Sequence, residues 1–183
     1  MKHSLPLRLL ARFAQVCLLS CATSYAVASS TNYLQDQLHK AQQAFDIKDY
    51  EKAMAILRPL AEQGNAEAQF KLGSMYQFAQ GVQTNYNEAI YWYLKSAKKN
   101  FASAQYNIGN MYFYGEGVSQ SYSTAAIWFL KAAKQGHTGA QTEIGKMYQY
   151  GLGVRKDKQQ SLYWLRKAHK NTDSIVLYQP LHK

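Results

Sequence analysis

Three consecutive stretches of 36 residues align with one another without a gap: AEAQFKLGSMYQFAQGVQTNYNEAIYWYLKSAKKNF (66–101), ASAQYNIGNMYFYGEGVSQSYSTAAIWFLKAAKQGH (102–137) and TGAQTEIGKMYQYGLGVRKDKQQSLYWLRKAHKNTD (138–173). Each has a glycine in its eighth position, then a methionine–tyrosine pair and later a glycine–valine pair. All the tryptophans of the chain also lie on this period, at Trp92, Trp128 and Trp164. Such self-similarity indicates a repeat protein whose units bury their apolar faces on one another.

Each unit is predicted to form two helices, which makes the fold all-α. In the middle unit, apolar residues recur three or four positions apart and predict a helix over 102–114. The glycines of Gly115-Glu116-Gly117 then end it, because glycine readily takes the left-handed conformation found after helices. The second helices should begin after N-cap residues, which are Asn85, Ser121 and Asp157. Asn85 with Glu88 also resembles a capping box.

A glycine occurs in the middle of each first helix, at Gly73, Gly109 and Gly145. Glycine there costs about 1 kcal/mol relative to alanine. We therefore expect the missing side chain to allow a close approach of the second helix, with Ala89 and Ala125 opposite. Replacing Gly109 by valine should then overpack this contact.

The repeats are flanked by less regular segments. Residues 29–65 are predicted to form a related, degenerate helix pair that caps the first unit. Residues 174–183 form a C-terminal tail that either packs down as a final cap or trails from the last unit.

Residues 1–28 are interpreted as a signal peptide. They combine a basic start with a short apolar stretch and an Ala26-Val27-Ala28 cleavage pattern. Cleavage after Ala28 predicts a periplasmic or secreted protein without cysteine. The alternative is an outer-membrane lipoprotein, because Leu18-Leu19-Ser20-Cys21 resembles a lipobox with a lipid anchor at Cys21. No stretch approaches the ~20 apolar residues of a transmembrane helix.

The chain has a formal net charge of +10, distributed unevenly. Residues 138–183 contain eight Lys or Arg and three acids, whereas residues 29–65 contain four and five. A basic end can attract acidic partners or only aid solubility. No interleaving of basic and stacking aromatic residues points to nucleic acid.

The repeated residues resemble the Sel-one-like repeat, a relative of the tetratricopeptide repeat. In the middle unit the resemblance is carried by Ala104, Ile108-Gly109, Tyr112, Gly115, Gly117-Val118, Trp128 and Lys131-Ala132-Ala133. It extends over 66–173, and Ala79 departs from it by replacing the first loop glycine. The resemblance implies a right-handed α/α superhelix of antiparallel helix pairs that acts as an adaptor in protein complexes. For exported bacterial members it implies roles in envelope assembly, signalling or host contact.

The tetratricopeptide analogy also implies that the first helices line a concave face that binds a protein or peptide partner. Positions on these helices that vary between units are the candidate site, because amides can bind a peptide backbone and rings its side chains. They are Phe70, Tyr106, Asn110, Phe113, Lys146 and Gln149. Phe78, Tyr114 and Tyr150 recur strictly with the period, which favours a packing role for them.

Other classes of function have weaker support. Ser96-Ala-Lys-Lys99 and His137-Thr138-Gly139 resemble motifs of penicillin-recognising enzymes, and some cysteine-rich Sel-one-like proteins are described as β-lactamases. Those enzymes need a sheet that this sequence does not predict. We therefore expect no catalytic site and no cofactor. The histidines lack ligand spacing, so no metal site is expected. A scaffold that contacts cell-wall glycan remains an alternative to a peptide-binding one.

Overall fold

The computed structural model describes residues 31–171, so the predicted signal peptide (1–28) and the tail (174–183) lie outside the described residues. Within 31–171 the chain forms eight helices and no strand. The helices are α1 (31–46), α2 (Tyr50–Glu62), α3 (Ala66–Gln77), α4 (Tyr86–Ala97), α5 (Ala102–Tyr114), α6 (Tyr122–Lys134), α7 (Thr138–Tyr150) and α8 (Lys158–Asn171). From α2 onward each helix packs on the next, and α1 shares a core with α2, which confirms the predicted all-α arrangement of helix pairs.

The predicted helix starts are confirmed. The side chains of Asn85 and Ser121 accept hydrogen bonds from the amides of Glu88 and Thr124. Asp157 accepts from two amides at the start of α8. The reciprocal half of the predicted capping box does not form, because Glu88 accepts from the indole of Trp92 and the Asn85 amide donates to the Tyr76 carbonyl.

The first helices end in left-handed residues, as the loop glycines predicted. Gly115 and Gly151 follow α5 and α7 with φ values of 76° and 75°. In the first unit Ala79 occupies the matching position and has a φ of 55°. A left-handed conformation is strained for a residue with a Cβ atom, so this loop stores strain that the other two avoid.

The mid-helix glycines lie against large side chains of the second helix. A Cβ atom built on Gly73 would lie 2.6 Å from Tyr93 Cδ1, and one on Gly109 would lie 2.6 Å from Phe129 Cδ1. The expected close approach is therefore present. Ala89 lies opposite Gly73 as expected, with its backbone oxygen 3.1 Å from the added Cβ atom, whereas the nearest atoms at Gly109 all belong to Phe129. In both units the ring four residues after the alanine comes closest.

Buried glutamines join each unit to the one before it. Gln69, Gln105 and Gln141 donate to the carbonyls of Ala61, Ala97 and Ala133 at distances of 2.9, 3.4 and 3.1 Å. Carbonyls in the last turn of a helix have no partner within that helix. Each of these carbonyls also accepts from a backbone amide of the following turn, that of Gly64, Asn100 or Gly136, so the glutamine adds a second bond that joins the two units.

Candidate partner-binding surface

One side of α3, α5 and α7 carries exposed or half-buried residues at four-residue spacing. We name it the first-helix face, and it consists of Ser74, Phe78, Asn110, Tyr114, Lys146 and Tyr150. Side chains four positions apart lie on the same side of a helix. The aromatic residue at the end of each first helix therefore continues the solvent-facing side of that helix.

The three aromatic residues of this face are largely exposed. The exposed fractions are 59% for Phe78, 66% for Tyr114 and 65% for Tyr150. The packing role expected for them is therefore wrong. The three residues occupy equivalent positions, and in each unit this position faces solvent at the end of the first helix.

Phe70 and Tyr106, two of the predicted site residues, are half-buried at the joints between units. Phe70 packs on Phe101 with ring centroids 5.3 Å apart, and Tyr106 stacks on His137 at 4.5 Å. Phe101 and His137 are the N-cap residues of α5 and α7. These pairs therefore connect a first helix to the start of the next one, and leave part of each ring accessible.

His137 also has a capping role. Its Nδ1 accepts a hydrogen bond of 3.1 Å from the amide of Ala140. Burial lowers the pKa of His137 below its ordinary value. The imidazole is thus held in the neutral form that can accept from the helix.

Lys146 and Asn110, two further predicted site residues, belong to the first-helix face. Lys146 Nζ forms an ion pair of 2.9 Å with Glu143 Oε1. The hydrogen bond with Glu143 raises the pKa of Lys146, and Tyr114 and Tyr106 raise it further. This part of the first-helix face therefore combines an exposed cation with exposed aromatic rings.

Phe113 and Gln149 lie on a different side of the first helices. The equivalent Gln77 is buried, and Phe113 is half-buried against Tyr122 and Phe129, with centroids 4.9 and 6.4 Å apart. Gln149 is exposed at the end of the last described unit. The three equivalent positions therefore have different surroundings, and their predicted role in binding stays a prediction.

A buried polar network occupies this position between the first two units. Tyr93 Oη donates to Gln77 Oε1 at 2.8 Å and accepts from Asn107 Nδ2 at 2.9 Å. Gln77 Nε2 in turn donates to Glu116 Oε2 at 2.8 Å. Burial raises the pKa of Tyr93 to about 12, so the phenol stays protonated and donates at neutral pH. The sequence analysis did not predict this network. Its signal in the sequence is that Gln77 and Tyr93 are both replaced by phenylalanine in the next unit, at Phe113 and Phe129.

The second helices expose another periodic row, consisting of Tyr91, Ile127 and Tyr163. Its aromatic members already have partners within the protein. Lys95 Nζ lies 4.4 Å from the Tyr91 ring centroid, and Lys167 Nζ lies 5.0 Å from that of Tyr163. Both rings also pack edge-on against the following tryptophan. Within residues 31–171, Phe78 and Tyr150 have no ring or cation partner. The rings of the first-helix face therefore have fewer partners within the protein than those of the second helices.

The candidate motifs of other classes have structural roles. Ser96 is fully buried, and its hydroxyl donates to the Ala66 carbonyl at 2.7 Å. Lys99 Nζ donates to the Gly64 carbonyl. Across residues 31–171 there is no cluster of three or more His, Cys, Asp or Glu suited to a metal ion, and no helix long and apolar enough to cross a membrane.

Helix pairs repeating every 36 residues, with a periodic exposed row on the first helices, define a helical-repeat protein suited to binding other molecules. The Sel1 repeat model matches residues 45–65, 66–101, 102–137 and 138–171. The chain therefore belongs to the Sel1 repeat family. The match at 45–65 includes α2 of the predicted N-terminal pair, where Asp49 and Tyr50 occupy the positions of Asn85 and Tyr86.

Solved structures show the same fold. A Sel1 repeat protein from Oxalobacter formigenes is 35% identical, with 74% of this chain and 56% of that chain covered and a TM-score of 0.71. The protein c5321, a protective antigen present in uropathogenic Escherichia coli strains displaying an SLR fold, is 38% identical over 64% of this chain and 25% of its own, with a TM-score of 0.62. This chain thus spans about half or less of these two relatives.

A third structure has the fold at lower similarity. Helicobacter pylori cysteine rich protein B is 20% identical over 69% of this chain and 90% of its own, with a TM-score of 0.56. That likeness concerns the fold alone. No curated protein matches the chain.

Proposed function

We propose that this protein is an exported, non-enzymatic scaffold of the bacterial envelope whose first-helix face binds an extended segment of a partner protein. The observation that carries the proposal is the exposed row of Phe78, Tyr114 and Tyr150. Exposed aromatic side chains are enriched where proteins bind one another, because they bury large apolar areas at little entropic loss.

The chemistry around the row suits a peptide. Asn110 and Ser74 can hydrogen-bond to a peptide backbone, while the rings pack against its side chains. Each unit contributes one aromatic ring at the equivalent position. A row of rings at regular intervals suits an extended peptide, whose side chains are also regularly spaced. Glycan binding would use the same rings, so the two ligands are separated by experiment.

Export rests on residues 1–28, with cleavage after Ala28 or lipidation at Cys21 as the two routes. Cell fractionation combined with intact mass of the purified protein tests this part. A periplasmic or secreted chain beginning at Ser29 supports cleavage, a membrane-bound chain with a mass increase at Cys21 supports the lipoprotein, and a cytoplasmic chain of full length contradicts both.

Affinity capture from an envelope extract tests the binding surface. Wild-type protein is compared with Tyr114→Ser and with the control Tyr91→Ser, which removes an exposed ring from the second helices. We expect a protein partner whose affinity falls by about tenfold or more with Tyr114→Ser and is unchanged with Tyr91→Ser. Equal retention by both variants, or capture of glycan alone, contradicts the proposal.

The same preparations test the enzymatic alternative. Because Ser96 is buried and bonded to the chain itself, we expect no turnover of a chromogenic β-lactam. Turnover that Ser96→Ala abolishes would overturn the non-enzymatic assignment.

A further inference from the structure

A groove opens at the end of the last described unit, beside the final ring of the first-helix face. It has a volume of about 830 Å³. We name it the terminal groove, and the residues that matter for it are Tyr150, Lys156, Lys158, Leu162, Leu165 and Arg166. The groove thus lies between the end of α7 and one side of α8.

The floor of the terminal groove corresponds to a surface that is buried in the preceding unit. Leu162 and Leu165 align with Ala126 and Phe129, which are 2% and 1% exposed. Those residues form one core with Ile144 of the following first helix. Leu162, in contrast, is 42% exposed. The groove is therefore the place where each earlier unit receives a helix.

At the rim of the groove, basic residues occupy positions that are apolar or aromatic in the preceding unit. Lys158 replaces Tyr122, and Arg166 replaces Leu130. Among the described residues, the lining contains no acidic side chain. Within residues 31–171, Lys156, Lys158 and Arg166 form no ion pair, and the nearby Asp157 carboxylate is used to cap α8. The groove thus combines an apolar floor with cations that lack a counter-charge.

We infer that the terminal groove is a second binding surface, which takes an acidic amphipathic helix of a partner protein. The helix shape follows from the register, since a first helix occupies this place in the earlier units. Apolar residues of the ligand would cover Leu162 and Leu165, and its carboxylates would meet Arg166 and Lys158. A nucleic-acid backbone would satisfy the cations but leave the leucines uncovered. This inference rests on the proposed scaffold function and names a partner chemistry for it.

Selection from a displayed library of random 16-residue peptides on the full-length protein tests the inference. The selected peptides are synthesised, and their affinities are measured by fluorescence anisotropy for wild type and for Arg166→Glu and Lys158→Glu. Lys98→Glu, at the exposed end of α4, is the charge-matched control. Tyr114→Ser reports on the first-helix face.

We expect peptides rich in Asp and Glu, with apolar residues three or four apart. Their affinity should fall about tenfold or more with Arg166→Glu and stay unchanged with Lys98→Glu and Tyr114→Ser. Peptides without excess acid, or with equal affinity for Arg166→Glu, overturn the inference. Peptides that respond to Tyr114→Ser alone also overturn it while supporting the proposed function.

Two further arms identify other occupants. If a chain ending at Asn171 binds the same peptides at least tenfold more tightly, residues 172–183 fill the groove themselves and the inference is wrong. It is equally wrong if phosphatidylglycerol vesicles bind the wild type but not Arg166→Glu, because the ligand would then be a lipid surface. An unchanged peptide affinity in the shortened chain, together with no vesicle binding, supports the acidic helix.

Discussion

Replacing each mid-helix glycine by alanine distinguishes the effect of packing on the free energy of unfolding from the effect of helix propensity. The Cβ of Gly73→Ala would meet Tyr93 Cδ1 at 2.6 Å and the backbone oxygen of Ala89 at 3.1 Å. Tyr93 is fully buried and held by hydrogen bonds to two neighbours, so it cannot move aside. At Gly145 the nearest atom is Leu165 Cγ at 2.8 Å, and Leu165 borders the open terminal groove.

The magnitudes follow from two opposing effects. Alanine gains about 1 kcal/mol over glycine inside a helix, whereas overpacking a core costs roughly 1–3 kcal/mol. Gly73→Ala should therefore lower the free energy of unfolding by up to about 2 kcal/mol, and Gly145→Ala should leave it unchanged or raise it by up to about 1 kcal/mol. Gly109→Ala, 2.6 Å from the purely apolar Phe129, should fall between them. Gly109→Val adds two more carbons and should destabilise by roughly 1–3 kcal/mol.

Urea denaturation followed by circular dichroism measures the whole series. Gln159→Ala, on the exposed side of α8, is the control and should change stability by less than about 0.5 kcal/mol. Phe129→Leu should relieve the effect of Gly109→Ala, since leucine occupies the matching place in the third unit. Uniform stabilisation by about 1 kcal/mol at all three glycines would mean that propensity alone acts, and would refute the packing argument.

Three further predictions concern single side chains. Tyr93→Phe should destabilise by about 1–3 kcal/mol in urea denaturation, because Gln77 and Asn107 lose a buried partner; wild-type stability would show that water replaces the hydroxyl. Burial lowers the pKa of His137 in the folded protein. As the pH falls below about 6.5, the imidazole therefore takes up a proton more readily in the unfolded chain than in the folded one, and the free energy of unfolding decreases. His137→Asn retains an N-cap acceptor, as Asn65 does in the first unit, and should reduce the fall in melting temperature between about pH 7 and 5; an unaltered fall would place the titration elsewhere. Ala79→Gly should raise the free energy of unfolding by up to about 1 kcal/mol by relieving a left-handed alanine, and a decrease would argue against strain in this loop.

Local structure could be predicted closely because local signals agreed. The helix expected over 102–114 is observed as Ala102–Tyr114, since an apolar period and a left-handed glycine mark the same end. The N-caps were equally readable. The capping box failed because Glu88 has a second possible partner one turn away, the Trp92 indole, which the short motif does not reveal.

The candidate site was harder to predict because recurrence and exposure are separate properties. Tyr114 recurs in every unit as core residues do, yet it is exposed, since only the packing of neighbouring helices decides which side of α5 meets solvent. Conversely, the variable Gln77 and Phe113 differ because their neighbours Tyr93 and Phe129 differ with them. Variation between units therefore accompanies coupled packing at this position, which the variation alone does not distinguish from a binding role.

The central claim is that partners meet the first-helix face. Placing a photo-activated cross-linking residue at position 114, and in a second variant at the exposed position 127 of the second helices, tests this contact directly in cells. We predict a discrete cross-linked protein adduct from position 114 and none from position 127. An adduct from position 127 alone, or no adduct from either position, would contradict partner binding at the first-helix face.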